Sequence, residues 1–264
     1  MERRRIYLMR HGAVAYFDRD GRPVAPDDVP LTAEGRGQAA AAAALLDGTG
    51  LDRVVSSDLP RAVETAALVA PGCEVEAWPD LREIAGDRFS SIPPAELERE
   101  FVGALHGIVP NDKRFLGGET IGELFGRVLP AVDRLLRDPE WDTALVVAHG
   151  AVNRAILSHA LLGERTFLGR FEQAPGCVNV LDVGSESPPE WIVRAVNIAP
   201  RDPAHSGTRL TQMEQYWREY VPREEAPPDA AANAERAGSL PPSRVVLDAD
   251  PSQAAPRSPS SRRT

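Results

Sequence analysis

The sequence predicts an α/β fold in three layers, α/β/α, with a mostly parallel central sheet between two layers of helices. Three observations predict it. Short β-rich runs alternate with amphipathic, helix-compatible stretches from Ile6 to Asn197, the pattern of strands joined by helical crossovers. Strand runs such as "IYLM" and "ALVVA" are apolar throughout, as strands buried on both faces are. With 264 residues, 42% hydrophobic and 26% charged, the chain is long enough for one substantial core of ordinary globular composition.

The elements follow in order. "IYLM" is the first strand, and it stops at Arg10-His11-Gly12. Thr32, three residues before Gly35, starts a helix without a capping box; in "AEGRGQAAAAAALL" the good helix formers outweigh two glycines. "RVVSS" is a second strand, and "LPRAVETAALVA" a helix with Pro60 in its first turn, where proline is tolerated. Helices are expected at "PAELEREFVGAL" and "TIGELFGRVLPAVDRLL", the latter with Pro130 as a point of kinking. "ALVVAH" is a buried strand, "AVNRAILSHALLG" the helix after it, and "CVNVLDV" and "WIVRAVN" the closing strands.

Composition changes after Tyr220. From Pro222 to Thr264 there are eight prolines, no aromatic residue, and equal numbers of acidic and basic side chains. Such a segment buries too little apolar surface to offset its ordering entropy. The expected organisation is therefore one folded catalytic domain over residues 1–221 and a disordered Pro/Ala/Ser-rich tail over 222–264.

Composition also narrows the function. No apolar run approaches the length of about 20 residues that a membrane span needs. In "MERRRIYLM" the basic start is followed by too short an apolar stretch for a signal peptide, so a cytoplasmic location and no membrane partner are expected. Cys73 and Cys177 form neither a disulfide framework nor a metal knuckle. A net charge of -9 argues against a nucleic-acid binder with a basic surface, yet leaves room for a cleft that focuses positive potential on a small anion.

Two of the strands end alike. "IYLMRHG" terminates in His11-Gly12 and "ALVVAHG" in His149-Gly150. In open α/β sheets ligands bind beyond the carboxyl ends of the strands, so neighbouring strands would bring both imidazoles into one pocket, each beside a glycine that lets backbone N–H groups approach a ligand. "RVVSSDLPRA" aims a second guanidinium, Arg61, at the same end. Two arginines and two histidines suit a phosphate: guanidinium forks match its oxygens, one neutral imidazole can attack, and the other can donate. Arg61 has a plainer reading as an ion-pair partner of Glu64. Ser56 and Ser57 can lend hydroxyls, but the nucleophile-elbow pattern is absent and no serine triad is expected.

The ordered set "LMRHG", "PLTAEGRGQA", "VVSSDLPRAVETA", "LREI", "LGGET" and "VVAHG" resembles the histidine phosphatase superfamily, the phosphoglycerate mutase-like fold. The resemblance implies His11 as nucleophile, Arg10 and Arg61 as phosphate ligands, His149 as the second pocket histidine and Glu83 as proton donor, with Gly12 and Gly150 lining the phosphate site. It implies no metal and no cofactor. Two departures stand out. Where the family often has a polar residue touching the phosphate, this chain has Phe17, which leaves that contact to a neighbour such as Asp18. "LREIAGDRFSS" is one residue shorter before its glycine than the family's usual run, so the Glu83 loop is expected to sit differently, with Asp87 as a second candidate acid.

The expected activity is hydrolysis of a small phosphorylated substrate through a phosphohistidine. Two alternatives remain open. A phosphoglycerate mutase would return the phosphoryl group to bound substrate, although mutases of the family carry a long insertion between the acid and the "GGE" segment. A catalytically degenerate member would only bind phosphorylated ligands.

Overall fold

The computed structural model describes residues 3–20, 22, 24–87, 92–201 and 209–220. The tail expected over 222–264 lies outside the described residues.

The first strand, β1, spans Arg3–Arg10 and begins before the apolar run, because each of its leading arginines has a partner. Arg5 forks onto Asp182 at 2.7 and 3.1 Å. Arg4 donates to the carbonyls of Leu136 and Asp138, with its guanidinium carbon 4.2 Å from the Trp141 ring centroid. Arg3 pairs with Glu190.

Helix α1 (Ala33–Leu46) starts where Thr32 Oγ1 accepts the Gly35 N–H. Strand β2 (Arg53–Ser57), helix α2 (Pro60–Val69) and strand β3 (Val75–Trp78) follow. Next come α3 (Pro94–Val102), β4 (Ile108–Val109), α4 (Ile121–Arg137), β5 (Thr143–Ala148) and α5 (Gly150–Leu162). The described chain closes with β6 (Phe167–Leu168), β7 (Val178–Gly184), β8 (Trp191–Ile198) and α6 (Gln212–Tyr220).

Six strands form one sheet in the order β3-β2-β5-β1-β7-β8; β4 and β6 pair separately. The first four strands of that order are mutually parallel, and β7 runs antiparallel to both of its neighbours. Side chains along β1 alternate between the layers. Ile6 and Leu8 pack with Leu124, Phe125 and Val128 of α4 and Val152 and Ile156 of α5. Tyr7 and Met9 pack with Ala39 and Ala42 of α1 and Ala62 and Ala66 of α2. Burial on both faces is what removes the polar alternation from the strand sequence.

Helix α4 runs through Pro130 without a break. Gly126, whose carbonyl has no donor because proline lacks an N–H, is exposed, as is Pro130, so water can satisfy that carbonyl. Thr120 and Glu123 close a capping box at the start of α4.

Candidate active site

Arg10 stands opposite Ala148 in the parallel β1–β5 ladder, so the next residue of each strand, His11 and His149, emerges at the same edge of the sheet. Their rings lie 5.0 Å apart between centroids, tilted 61° edge to face. The His11 N–H extends the ladder by one bond, donating to the Ala148 carbonyl at 3.0 Å. On the far side of β5, β2 ends at Ser57, and the first turn of α2 brings in Arg61.

All four groups are withdrawn from solvent: exposure is 4% for Arg10, 1% for His11, 2% for Arg61 and 0% for His149. His11 Nδ1 lies 2.7 Å from the Gly12 carbonyl. A carbonyl only accepts, so Nδ1 carries the proton and Nε2 keeps its lone pair. His149 Nε2 meets Ser57 Oγ at 2.8 Å. Four buried side-chain nitrogens, Arg10 Nε, His11 Nε2, Arg61 Nε and His149 Nδ1, have no hydrogen-bond partner among the described residues. Burial first, then the charges of Arg10 and Arg61, hold His11 well below the ordinary imidazole value. Burial, the neighbouring His11 and the same two guanidiniums do likewise for His149. Both rings are neutral at neutral pH, and the local charge is positive.

The two glycines do different things. An added Cβ on Gly12 would stand 2.4 Å from the Gly35 carbonyl oxygen, so glycine lets the end of β1 meet the start of α1 backbone to backbone. Its N–H is committed to Thr65 Oγ1 at 3.1 Å. Gly150 lies between the charges: its Cβ position is 3.8 Å from Arg10 Nε and 3.5 Å from Glu83 Oε2.

Glu83 reaches this edge and accepts the Ala151 N–H, in the first turn of α5, at 3.1 Å. Its backbone is pinned by Arg127 of α4, which donates to the carbonyls of Asp80, Arg82 and Glu83 at 2.8, 2.7 and 3.2 Å while forking onto Glu119. The "LGGET" turn supports the same segment. Leu116 and Gly117 have φ of 47° and 79°, and a Cβ on Gly118 would fall 2.2 Å from the Ala85 carbonyl oxygen. Asp87 is exposed, its N–H donating to Leu116 O.

Residues outside the sequence-derived set complete the surroundings. Arg10 donates to the Gln173 carbonyl at 2.6 Å, to Gln212 Oε1 at 3.3 Å and to Tyr216 Oη at 3.0 Å. Tyr216 lies edge-on to Tyr16, 5.1 Å between centroids, and Tyr16 lies under Arg61 at 5.8 Å. Phe17 packs against Tyr220 at 5.8 Å, and Asp18 accepts the N–H groups of Asp20 and Arg22 within its own loop. Arg61 donates to the Pro26 carbonyl at 2.5 Å, whereas Glu64 pairs with Arg36 at 2.8 Å. Arg154 of α5 adds a third buried guanidinium, bonded to the Gly150 and Gly169 carbonyls. Among the described residues no group of three or more histidine, cysteine or carboxylate side chains is arranged to hold a metal ion.

The family model described as histidine phosphatase superfamily (branch 1) matches residues 6–198. The chain belongs to the histidine phosphatase superfamily. Among curated relatives of this superfamily member, a probable phosphoglycerate mutase GpmB of Salmonella paratyphi A is 32% identical over 160 residues, 59% of this chain and 74% of that one. A protein of the same name from Serratia proteamaculans is 33% identical over 166 residues, with the same shares covered. Among solved structures, a mycobacterial glucosyl-3-phosphoglycerate phosphatase in complex with VO3 is 27% identical, with a TM-score of 0.58 over 74% of this chain and 98% of the other. An α-ribazole-5'-P phosphatase of Escherichia coli, 24% identical with a TM-score of 0.56 over 74% of this chain and 96% of its own, shares the fold. No helix of the described residues is long and apolar enough to cross a membrane.

Proposed function

We propose that this histidine phosphatase hydrolyses a small phosphomonoester without a metal ion, through a phosphohistidine on His11. The observation that carries the reading is the group of four buried nitrogens with no partner among the described residues, two from guanidiniums and two from neutral imidazoles. Buried donors are costly to leave unpaired, and a phosphoryl group presents acceptors for the donors and an electrophile for the lone pair.

In the first step His11 Nε2 forms a bond to phosphorus as the bond from phosphorus to the ester oxygen breaks, and Glu83 in its acid form passes its proton to the departing oxygen. Arg10 and Arg61 hold the phosphoryl oxygens as charge spreads over them, the role a metal ion fills in other phosphoryl-transfer sites. In the second step water attacks phosphorus, Glu83 takes its proton, and the bond from phosphorus to Nε2 breaks to return the lone pair. The resemblance to the 27% identical structure named as a glucosyl-3-phosphoglycerate phosphatase supports water as the acceptor. The relatives named as probable mutases favour a second reading, in which a bound phosphoglycerate takes the phosphoryl group.

The test is turnover of an aryl phosphate with chelator present, comparing wild type with His11→Ala, and acid-quench trapping of labelled phosphoenzyme. Chelator-resistant turnover that disappears with His11, together with an acid-labile adduct, is the expected result. Isomer conversion of phosphoglycerates without net phosphate release would replace the phosphatase reading with the mutase one.

A further inference from the structure

We propose that Ser57 is a positioning residue that fixes the tautomer of His149: its hydroxyl donates to Nε2, so that Nδ1 carries the proton and presents a donor to the phosphoryl group. The naming of the ligand rests on the function proposed above; the tautomer does not.

The argument is a count of protons. Ser57 Oγ has one proton to give and two sites at which to accept. One acceptor site is engaged by the Leu59 N–H at 3.3 Å, and 2.8 Å away stands His149 Nε2. If Nε2 carried the proton, both acceptor sites of Oγ would be filled and the hydroxyl proton would lack an acceptor among the described residues. If Nε2 is bare, the hydroxyl donates to it, Leu59 fills one acceptor site, and the group left over is an Nδ1–H in the pocket. Ser57 and His149 are both fully buried, where a proton or lone pair left without a partner is costly.

His11 has the same tautomer but leaves its other nitrogen to the pocket. The Gly12 carbonyl accepts a hydrogen bond from its Nδ1–H, and the lone pair on Nε2 is left over. Two neutral imidazoles 5.0 Å apart thus have complementary roles, one offering a lone pair and the other an N–H, each set by its own neighbour, Gly12 for His11 and Ser57 for His149. A serine-nucleophile reading of Ser57 fails on the same geometry. His149 Nδ1 has no hydrogen-bond partner to orient it as a base, and the nearby Glu83 carboxylate is engaged with backbone N–H groups of Ile84 and Ala151.

The experiment uses the full chain labelled with 15N and 13C, at pH 7.5 without ligand. Long-range correlation of ring protons with ring nitrogens, assigned to His149 through its own Cβ, reads which nitrogen is protonated. The expected wild-type result is a protonated Nδ1 and a bare Nε2. Ser57→Ala should shift His149 toward the Nε2–H form that free imidazole side chains prefer and weaken competitive inhibition by inorganic phosphate about tenfold. Ser57→Thr, which keeps the hydroxyl, should restore both. A wild-type spectrum showing Nε2–H overturns the proposal, as does a folded Ser57→Ala protein that keeps Nδ1–H. If Ser57→Ala does not fold, the wild-type spectrum still decides. A protein that turns over no phosphate ester while His149 reads Nδ1–H overturns the proposed function and leaves the tautomer assignment standing.

Discussion

At the scale of single residues, the site is a set of protons held in place by neighbours, and its pH dependence follows. His11 and His149 titrate well below 6.5 when folded and near 6.5 when unfolded. Between the folded values and 6.5 the unfolded chain therefore binds more protons, so stability rises with pH through that window and levels off above it. The urea midpoint should fall as pH drops from 7 to 5, and His11→Gln should flatten that fall. The carboxylates held low by partners, Asp182 by Arg5 and Asp138 by the Glu140 N–H and Arg53, lose their contribution only below the ordinary carboxylate range.

Arg127 supplies a second prediction at this scale. One guanidinium fork serves three carbonyls and Glu119, geometry that an ammonium group does not reproduce. Arg127→Lys should lower kcat about tenfold, equivalent to about 1.4 kcal/mol, with little change in binding of inorganic phosphate. A kcat within twofold of wild type would show that Glu83 is held by other means. The sequence displayed the pocket residues because each stands at a strand end or in a motif. Arg127, Ser57, Tyr16 and Tyr216 were less legible, since their roles come from contacts between segments far apart in the chain.

At the scale of elements, the strands and helices that carry the pocket were readable from apolar runs and helix formers. Strand β3 was not, because "VEAW" is short and half-buried, and α6 was missed although "TQME" has the T-x-x-E form of a capping box. The structure shows Thr211 and Glu214 exchanging that pair of bonds. The same signal at "TIGE" marks the start of α4. Pro130 shows how tertiary burial overrides propensity: one face of α4 supplies much of the core and holds the helix together across a missing hydrogen bond. Pro130→Ala should therefore stabilise the protein by about 2 kcal/mol, the helix gain of about 3 kcal/mol offset in part by a freer unfolded chain. Chemical denaturation measures it; a decrease in stability would mean the ring itself makes contacts worth more than the bond.

For the molecule as a whole, an acidic chain keeps a cationic pocket at the edge of its sheet. A ligand that pairs the buried nitrogens should bind only the folded form. At a hundred times its Kd, phosphate or vanadate should add about 2.7 kcal/mol of stability. For a chain of this size that is roughly 5–10 °C in Tm. Arg61→Ala should abolish the shift; an unchanged shift would place the anion elsewhere. The contacts that surround Arg10 end at Tyr216 and those of Phe17 at Tyr220, so a chain ending after Tyr220 should keep turnover within about twofold.

Strand β1 lies inside the sheet and is paired on both edges by strands that come much later in the chain. β1 is hydrogen-bonded on one side to β5 and on the other to β7, and Arg10 at its end bonds to Gln212 and Tyr216, 202 and 206 positions later. During synthesis β1 therefore keeps both edges open until β5 has been made and one edge open until β7 has, and the pocket closes only with the last helix described. Such long-range pairing slows folding and leaves sticky intermediates. Refolding of this chain should therefore be more efficient at low protein concentration, where β1 meets β5 and β7 before it meets another chain.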